Sequence, residues 1–136
     1  MGKPDPNLIA DGDMEAASTA AWTVQSGATL TKQGDAYQGA RCLRVARSTS
    51  NNPYASQNCA PTSGTVAVTG RVRSDGNAQP RVYVGGVNRW TGTTSTDWQA
   101  VSFEVTDPAN SQLALFVITS TGNQYCEFDD FRMVPA

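Results

Sequence analysis

The sequence predicts an all-β protein, a two-sheet antiparallel β-sandwich of the jelly-roll type. Short segments alternate between apolar and polar residues with the period of two that is typical of half-buried strands. These segments recur about every ten residues and are separated by runs rich in Gly, Pro, Asn and Asp, which favour turns. Only 16% of the residues are charged, which excludes a coiled coil or a strongly charged disordered chain.

The clearest strands follow one another along the chain. They are ARCLRVAR (40–47), GTVAVTGRVRSDG (64–76), PRVYVGG (80–86) and DWQAVSFEVTD (97–107). In the second of these, alternation predicts that Val66, Val68 and Val72 face the core. The same alternation turns Arg71 and Arg73 outward. Turns are predicted at GDAYQG, SDGNAQP, DPANS and STGNQ. The one helix candidate, MEAASTAA, is too short to organise a fold.

One predicted strand, SQLALFVITS, is apolar on both faces. Leu113, Leu115 and Val117 share one face, while Phe116 and Ile118 lie on the other. A loop covers the second face in one interpretation. In the other, a partner protein covers it, because a continuous exposed apolar strip is uncommon on monomers.

Length and charge limit the organisation and the partners of the chain. Its 136 residues fit a single jelly-roll domain over 1–136, with residues 1–6 as a flexible or docking N-terminal arm. The net charge of -2 gives no basic footprint for nucleic acid. The longest run of large apolar residues, LALFVI, is far shorter than the ~20 residues that span a bilayer. The N-terminus lacks the apolar stretch of a secretory signal, so export by that route is not expected.

The cysteines predict no metal knuckle and no disulfide framework. Cys42, Cys59 and Cys126 are odd in number, widely spaced and outside any CxxC motif. We expect buried or half-buried thiols, and the sequence leaves open whether two of them are bridged.

The chain contains no histidine, which excludes the commonest catalytic arrangements. Asp129 and Asp130 are adjacent and point to opposite faces of a regular strand, so they make a poor glycosidase pair. Glu127 and Asp129 share a face, where we expect solvated acids. The sequence therefore predicts a protein that is not an enzyme.

Six segments, in order, resemble the carbohydrate-binding-module-like jelly rolls of the galactose-binding-domain type. They are NLIADGDMEAAS, AAWTVQSG, DAYQGARCLRVA, VAVTGRVRSDG, TDWQAVSFEVTD and YCEFDDFRMVPA. The resemblance covers nearly the whole chain and implies the jelly-roll fold, with Trp22 and Trp98 in the core. The chain departs from the family pattern at Met14, Arg41 and Phe131.

The resemblance also implies a structural calcium ion where the first strand meets the last. The matching ligands are Glu15, Asp129 and carbonyl groups near Asp13 and Gln38, and calcium favours such oxygen ligands. In the alternative interpretation, Asp129 and Asp130 accept backbone or Arg hydrogen bonds at a strand bulge.

The outward strand faces predict a protein interface. They collect Arg44, Arg71, Arg73, Arg81 and Tyr83, to which Phe116 and Ile118 add an apolar strip. Arginine outnumbers lysine eight to two, and interfaces are enriched in Arg and Tyr and depleted in Lys. The alternative is a solvated strand face.

The first functional hypothesis is a capsid cement protein. A free-standing jelly roll without signal or attached enzyme resembles the decoration proteins of tailed-phage heads. The implied partner is the major capsid protein, bound by a homodimer or another symmetric oligomer. Assembly in the host cytoplasm and a location in the virion are implied as well.

The second hypothesis is a carbohydrate-binding module that binds polysaccharide and is secreted as part of a larger enzyme. Trp90, Tyr54 and Tyr83 would form its aromatic platform. The sequence favours the first hypothesis, because the chain ends at once after its last strand, without the linker-like edge of an excised module.

Overall fold

The computed structural model describes residues 7–25, 27–59, 64–106 and 112–136. Within these residues the chain forms ten strands and no helix. The strands are β1 (Thr23–Val24), β2 (Ala28–Gln33), β3 (Cys42–Arg47), β4 (Tyr54–Asn58), β5 (Thr65–Ser74), β6 (Gln79–Val84), β7 (Val87–Thr91), β8 (Gln99–Thr106), β9 (Gln112–Ile118) and β10 (Tyr125–Pro135). The predicted arm at residues 1–6 and the predicted DPANS turn at 107–111 lie outside the described residues.

Two five-stranded sheets form a sandwich, which confirms the predicted fold class. The first sheet has the order β1-β4-β9-β6-β7, and the second has the order β2-β3-β10-β5-β8. The pairings are antiparallel in both sheets. The core lies between them and is rich in valine and leucine, because each strand turns its apolar positions inward.

Strand β5 follows the predicted alternation along its whole length. Val66, Val68 and Val72 are fully buried, while Arg71 and Arg73 lie half-buried on the outer face. Gly70 occupies the inner position between Val68 and Val72, where the ring of Phe131 fills the space beside it. A Cβ atom at Gly70 would lie 2.7 Å from that ring.

Strand β10 carries a bulge next to the Asp129-Asp130 pair. Asp129 pairs with Arg71, and Arg132 pairs with Thr69, so two residues on β10 stand opposite one on β5. Asp130 has a φ of 52° at this point. The bulge is one of the irregularities that re-aim side chains in a sheet. It keeps both Asp129 and Phe131 buried.

The N-terminal segment, residues 7–22, runs across the end of the sandwich without regular secondary structure. Asn7 and Gly12 bind it to β10, and Lys32 on β2 is a further anchor. The Lys32 ammonium donates to Asp11 at 2.7 Å, to the Met14 carbonyl at 3.0 Å and to the Ala16 carbonyl at 2.7 Å. Met14 itself is fully buried, so the segment closes one edge of the core.

The three cysteines are buried and free, which agrees with the predicted thiols. Burial raises the pKa of Cys42 to about 12 and that of Cys59 to about 11. In the part of the chain that the structure describes, no helix is long and apolar enough to cross a membrane.

Candidate functional site

A row of charged side chains crosses the outer face of the second sheet. Glu127 on β10 pairs with Arg44 on β3 and with Arg73 on β5, so the three lie side by side. Arg44 donates to one carboxylate oxygen at 3.0 Å, and Arg73 donates to the other at 2.8 Å. Glu127 is only 3% exposed. The acid that we expected to be solvated is therefore the buried centre of a double ion pair.

Aromatic rings extend this row in both directions. The Arg44 guanidinium lies 3.8 Å from the centre of the Tyr125 ring, and that of Arg73 lies 4.5 Å from the Trp98 ring. Trp98 makes an edge contact with Tyr37, at 6.0 Å between ring centres. The Arg71 guanidinium lies 4.8 Å above Tyr37. Each of the three arginines thus lies against an aromatic ring, a contact that stabilises both partners. We call this set the arginine-aromatic band: Tyr125, Arg44, Glu127, Arg73, Trp98, Tyr37 and Arg71.

An open cleft of about 580 Å³ lies beside the band. Its lining includes Gln33, Asp35, Arg44, Arg73, Tyr125 and Glu127. Tyr37 is 42% exposed, so its ring is accessible from solvent. The surface combines guanidinium N–H donors with aromatic rings. This chemistry suits a ligand that has both hydroxyl groups and apolar C–H faces.

The seven residues of the predicted protein interface do not form one surface. Arg44, Arg71 and Arg73 lie on the outer face of the second sheet. The other four, Arg81, Tyr83, Phe116 and Ile118, belong to β6 and β9 of the first sheet. The expected single arginine face is wrong, because β5 and β6 enter different sheets after the turn that joins them.

The outer face of the first sheet carries a separate aromatic cluster. Tyr54 stacks on Phe116 with ring centres 4.1 Å apart, and Tyr83 lies 4.4 Å from Phe116 on the other side. Ala114 and Gln112 help to line a notch of about 190 Å³ beside them. The apolar outer face of β9 is thus partly covered by two tyrosine rings, which the sequence pattern did not predict, and cover by a partner protein stays a prediction.

The tryptophans differ from the predictions in two places. Trp22 is buried in the core, as expected. Trp90 was expected as an exposed platform, but it lies on β7 opposite the buried Val82 and packs against the core. Trp98 was expected in the core, but it lies half-buried against Arg73 on the outer face.

The acids of the predicted calcium site accept backbone hydrogen bonds. The two oxygens of Glu15 accept from Ala40 N–H at 2.9 Å and Arg41 N–H at 3.1 Å, and these bonds lower the pKa of Glu15. The oxygens of Asp129 accept from Gln38 N–H at 2.9 Å and from Asp130 N–H. Burial raises the pKa of Asp129 to about 6. Asp13 accepts the N–H of Glu15.

These side chains, as they are placed, do not fit a calcium ion. Among the described residues no three acid or thiol side chains are grouped closely enough to hold a metal. The calcium site stays a prediction of the resemblance alone, which the placement of these side chains does not support. Because the acids already have N–H partners, we expect the melting temperature to be the same in calcium and in EGTA. A melting temperature several degrees higher in calcium would contradict this expectation, because an ion that binds only the native state stabilises that state.

Comparison with solved structures identifies the fold. The xylan-binding domain CBM22-1 of Paenibacillus barcinonensis Xyn10C is 20% identical, over 100% of this chain and 99% of that one, with a TM-score of 0.69. TmCBM61, solved in complex with β-1,4-galactotriose, is 15% identical over 96% of this chain and 99% of that one, with a TM-score of 0.67. The fold is that of the carbohydrate-binding-module jelly rolls.

The same jelly roll occurs in other settings. The enzymatically active domain of tailspike protein 4 of bacteriophage CBA120 matches 94% of this chain with a TM-score of 0.71. The match is 9% identical and covers 21% of that chain. No protein-family model matches the chain, and neither does any curated protein sequence. At such low identities the likeness shows the jelly-roll fold alone, and function has to be argued from the site.

Proposed function

We propose that this chain is a non-catalytic carbohydrate-binding module that holds polysaccharide along the arginine-aromatic band. The observation that carries the proposal is the continuous row of arginines and aromatic rings on one sheet face, with Glu127 between two of the arginines, beside an open cleft. The similar structures support the ligand class, since one is a xylan-binding domain and another was solved with β-1,4-galactotriose.

Each component of the band has a role in binding. Guanidinium N–H groups donate hydrogen bonds to sugar hydroxyls, and the rings of Tyr37, Trp98 and Tyr125 pack against the C–H faces of the sugars. Glu127 holds the two arginines in place. Both of its oxygens accept arginine N–H bonds, so it is not free to act as a general acid or base. The proposed action is therefore reversible binding without bond cleavage.

No observation favours the capsid-cement hypothesis, which stays a prediction. Its expected interface divides between opposite faces of the sandwich. A location in a virion or in a secreted enzyme likewise stays a prediction.

Affinity electrophoresis in gels that contain soluble polysaccharides tests the proposal. The panel includes xylan and β-1,4-galactan. We expect retention of the wild type by at least one polysaccharide. We expect about tenfold weaker retention of Trp98→Ala, because a ring contact and its packing are lost.

Tyr83→Ala is the matched control, since it removes a half-buried ring from the opposite face. It should bind like the wild type. Weaker binding by Tyr83→Ala with normal binding by Trp98→Ala would move the site to the first sheet. Failure of the wild type to bind any polysaccharide would overturn the proposed function.

A further inference from the structure

The loop between β2 and β3, residues 34–41, carries the most exposed ring of the band, Tyr37. The ring of Tyr37 contacts two other members of the band, Trp98 and Arg71. Its position therefore depends on how the loop backbone is held. We call residues 34–41 the Tyr37 loop.

Hydrogen bonds hold the loop on both sides of Tyr37. Before it, Arg73 donates to the Asp35 carbonyl at 3.0 Å. After it, the backbone is held from outside the band. Gln38 N–H donates to Asp129, and the N–H groups of Ala40 and Arg41 donate to the two oxygens of Glu15. The Arg41 side chain also donates to the Glu15 carbonyl at 2.9 Å.

Glu15 and the loop fit each other closely. Gly39 has a φ of 71°, which favours glycine, and a Cβ atom there would lie 2.5 Å from a Glu15 carboxylate oxygen. Even the smallest side chain at Gly39 would therefore force the Glu15 carboxylate and the loop apart.

The backbone on both sides of Glu15 is anchored. The carbonyls of its neighbours Met14 and Ala16 both accept bonds from the Lys32 ammonium. A path of direct contacts thus runs from Lys32 through Glu15 to the backbone that follows Tyr37. The contacts between Tyr37, Trp98 and Arg71 complete it.

We propose that Glu15, assisted by Asp129, is a positioning residue that holds Tyr37 in the arginine-aromatic band. This inference rests on the proposed function for its binding consequence. Glu15 and Asp129 thus act on the site by accepting hydrogen bonds from N–H groups of the Tyr37 loop. It also makes the N-terminal segment part of the binding surface.

A double-mutant cycle in glycan binding tests the inference. Glu15→Ala and Tyr37→Ala should each weaken binding about tenfold, and the double variant should bind within about twofold of Tyr37→Ala, because Glu15 acts through Tyr37. Glu15→Gln retains one acceptor oxygen and should recover part of the affinity. Losses that simply multiply in the double variant would overturn the inference.

A glycine pair gives a test that leaves Glu15 intact. Gly39→Ala should weaken binding as Glu15→Ala does. Gly122→Ala is the matched control: Gly122 also has a positive φ, 55°, but a Cβ atom there meets nothing within 4 Å. It should lower the melting temperature through backbone strain and leave binding unchanged. Equal binding by the two variants would count against the inference.

A measurement without glycan separates this inference from the proposed function. The nuclear Overhauser effect between the rings of Tyr37 and Trp98 should be present in the wild type and lost in Glu15→Ala. Its persistence in a folded Glu15→Ala variant would overturn the positioning role, whether or not the protein binds glycans. If the effect is lost but Tyr37→Ala binds glycan normally, the positioning role holds and the proposed binding site fails.

Discussion

Replacing Glu127 with alanine should lower the free energy of unfolding by about 3 kcal/mol, because removal of one partner leaves buried charge unpaired. Arg44 and Arg73 would both lose their carboxylate. Their side chains are 31% and 19% exposed, so water compensates in part and the cost lies at the lower end of the usual range. Urea unfolding with an unchanged m value measures it.

Glycan binding should fall in the same variant, because the two guanidinium groups lose their fixed orientation. Glu104→Ala is the control, since Glu104 is an exposed acid on β8 of the same sheet. It should stay within about 0.5 kcal/mol of the wild type. A loss below about 1 kcal/mol for Glu127→Ala would mean that the double ion pair does not hold the band together.

Lys32→Met should cost about 3 to 5 kcal/mol, the range for breaking a buried ion pair. The side chains of Lys32 and Asp11 are each 6% exposed, and the ammonium also satisfies two backbone carbonyls. Methionine keeps the apolar stem and removes only the charge and the donors. Chemical unfolding monitored by tryptophan fluorescence gives the loss of stability.

A double variant separates the loss of stability caused by the unpaired charge from the loss caused by the missing hydrogen bonds. Lys32→Met combined with Asp11→Asn removes both charges, and asparagine tolerates the φ of 53° at position 11. It should be more stable than Lys32→Met alone, because no buried carboxylate is left without a partner. A single variant as stable as the wild type would show that Lys32 is not an anchor of the N-terminal segment.

Strand alternation made the fold predictable from sequence. In β5 the buried and exposed positions follow the apolar pattern residue by residue, because one face of each strand in a sandwich has to be apolar. The ordered resemblance to module jelly rolls added the topology class. The bulge beside Asp129 was open as an alternative, in which the two acids accept hydrogen bonds at an irregular point of the strand.

The arginine-aromatic band was not predictable in the same way. It depends on β10 lying between β3 and β5, and strand order within a sheet is not written in any single segment. Glu127 therefore had the pattern of a solvated acid, although its neighbours on both sides are arginines. Trp98 is an exception. It lies three residues before the buried Val101, so alternation places the two side chains on opposite faces of the strand. The sequence pattern therefore already favoured an outward ring over the core position that the resemblance implied, and the ring lies outside, against Arg73.

The abundance of arginine in the sequence favoured the hypothesis of a protein interface. The structure accounts for three of these arginines within the band, where each contacts an aromatic ring. The similar structures, at 20% and 15% identity, show the jelly-roll fold alone.

Mapping of a bound oligosaccharide by NMR tests the central claim most directly. The isotope-labelled protein is titrated with xylan or β-1,4-galactan fragments, and shift changes are assigned to residues. We predict saturable changes at Tyr37, Trp98 and Tyr125, with none at Tyr54 and Tyr83 on the opposite sheet. Changes confined to Tyr54 and Tyr83 would contradict the account, as would the absence of saturable changes with every fragment.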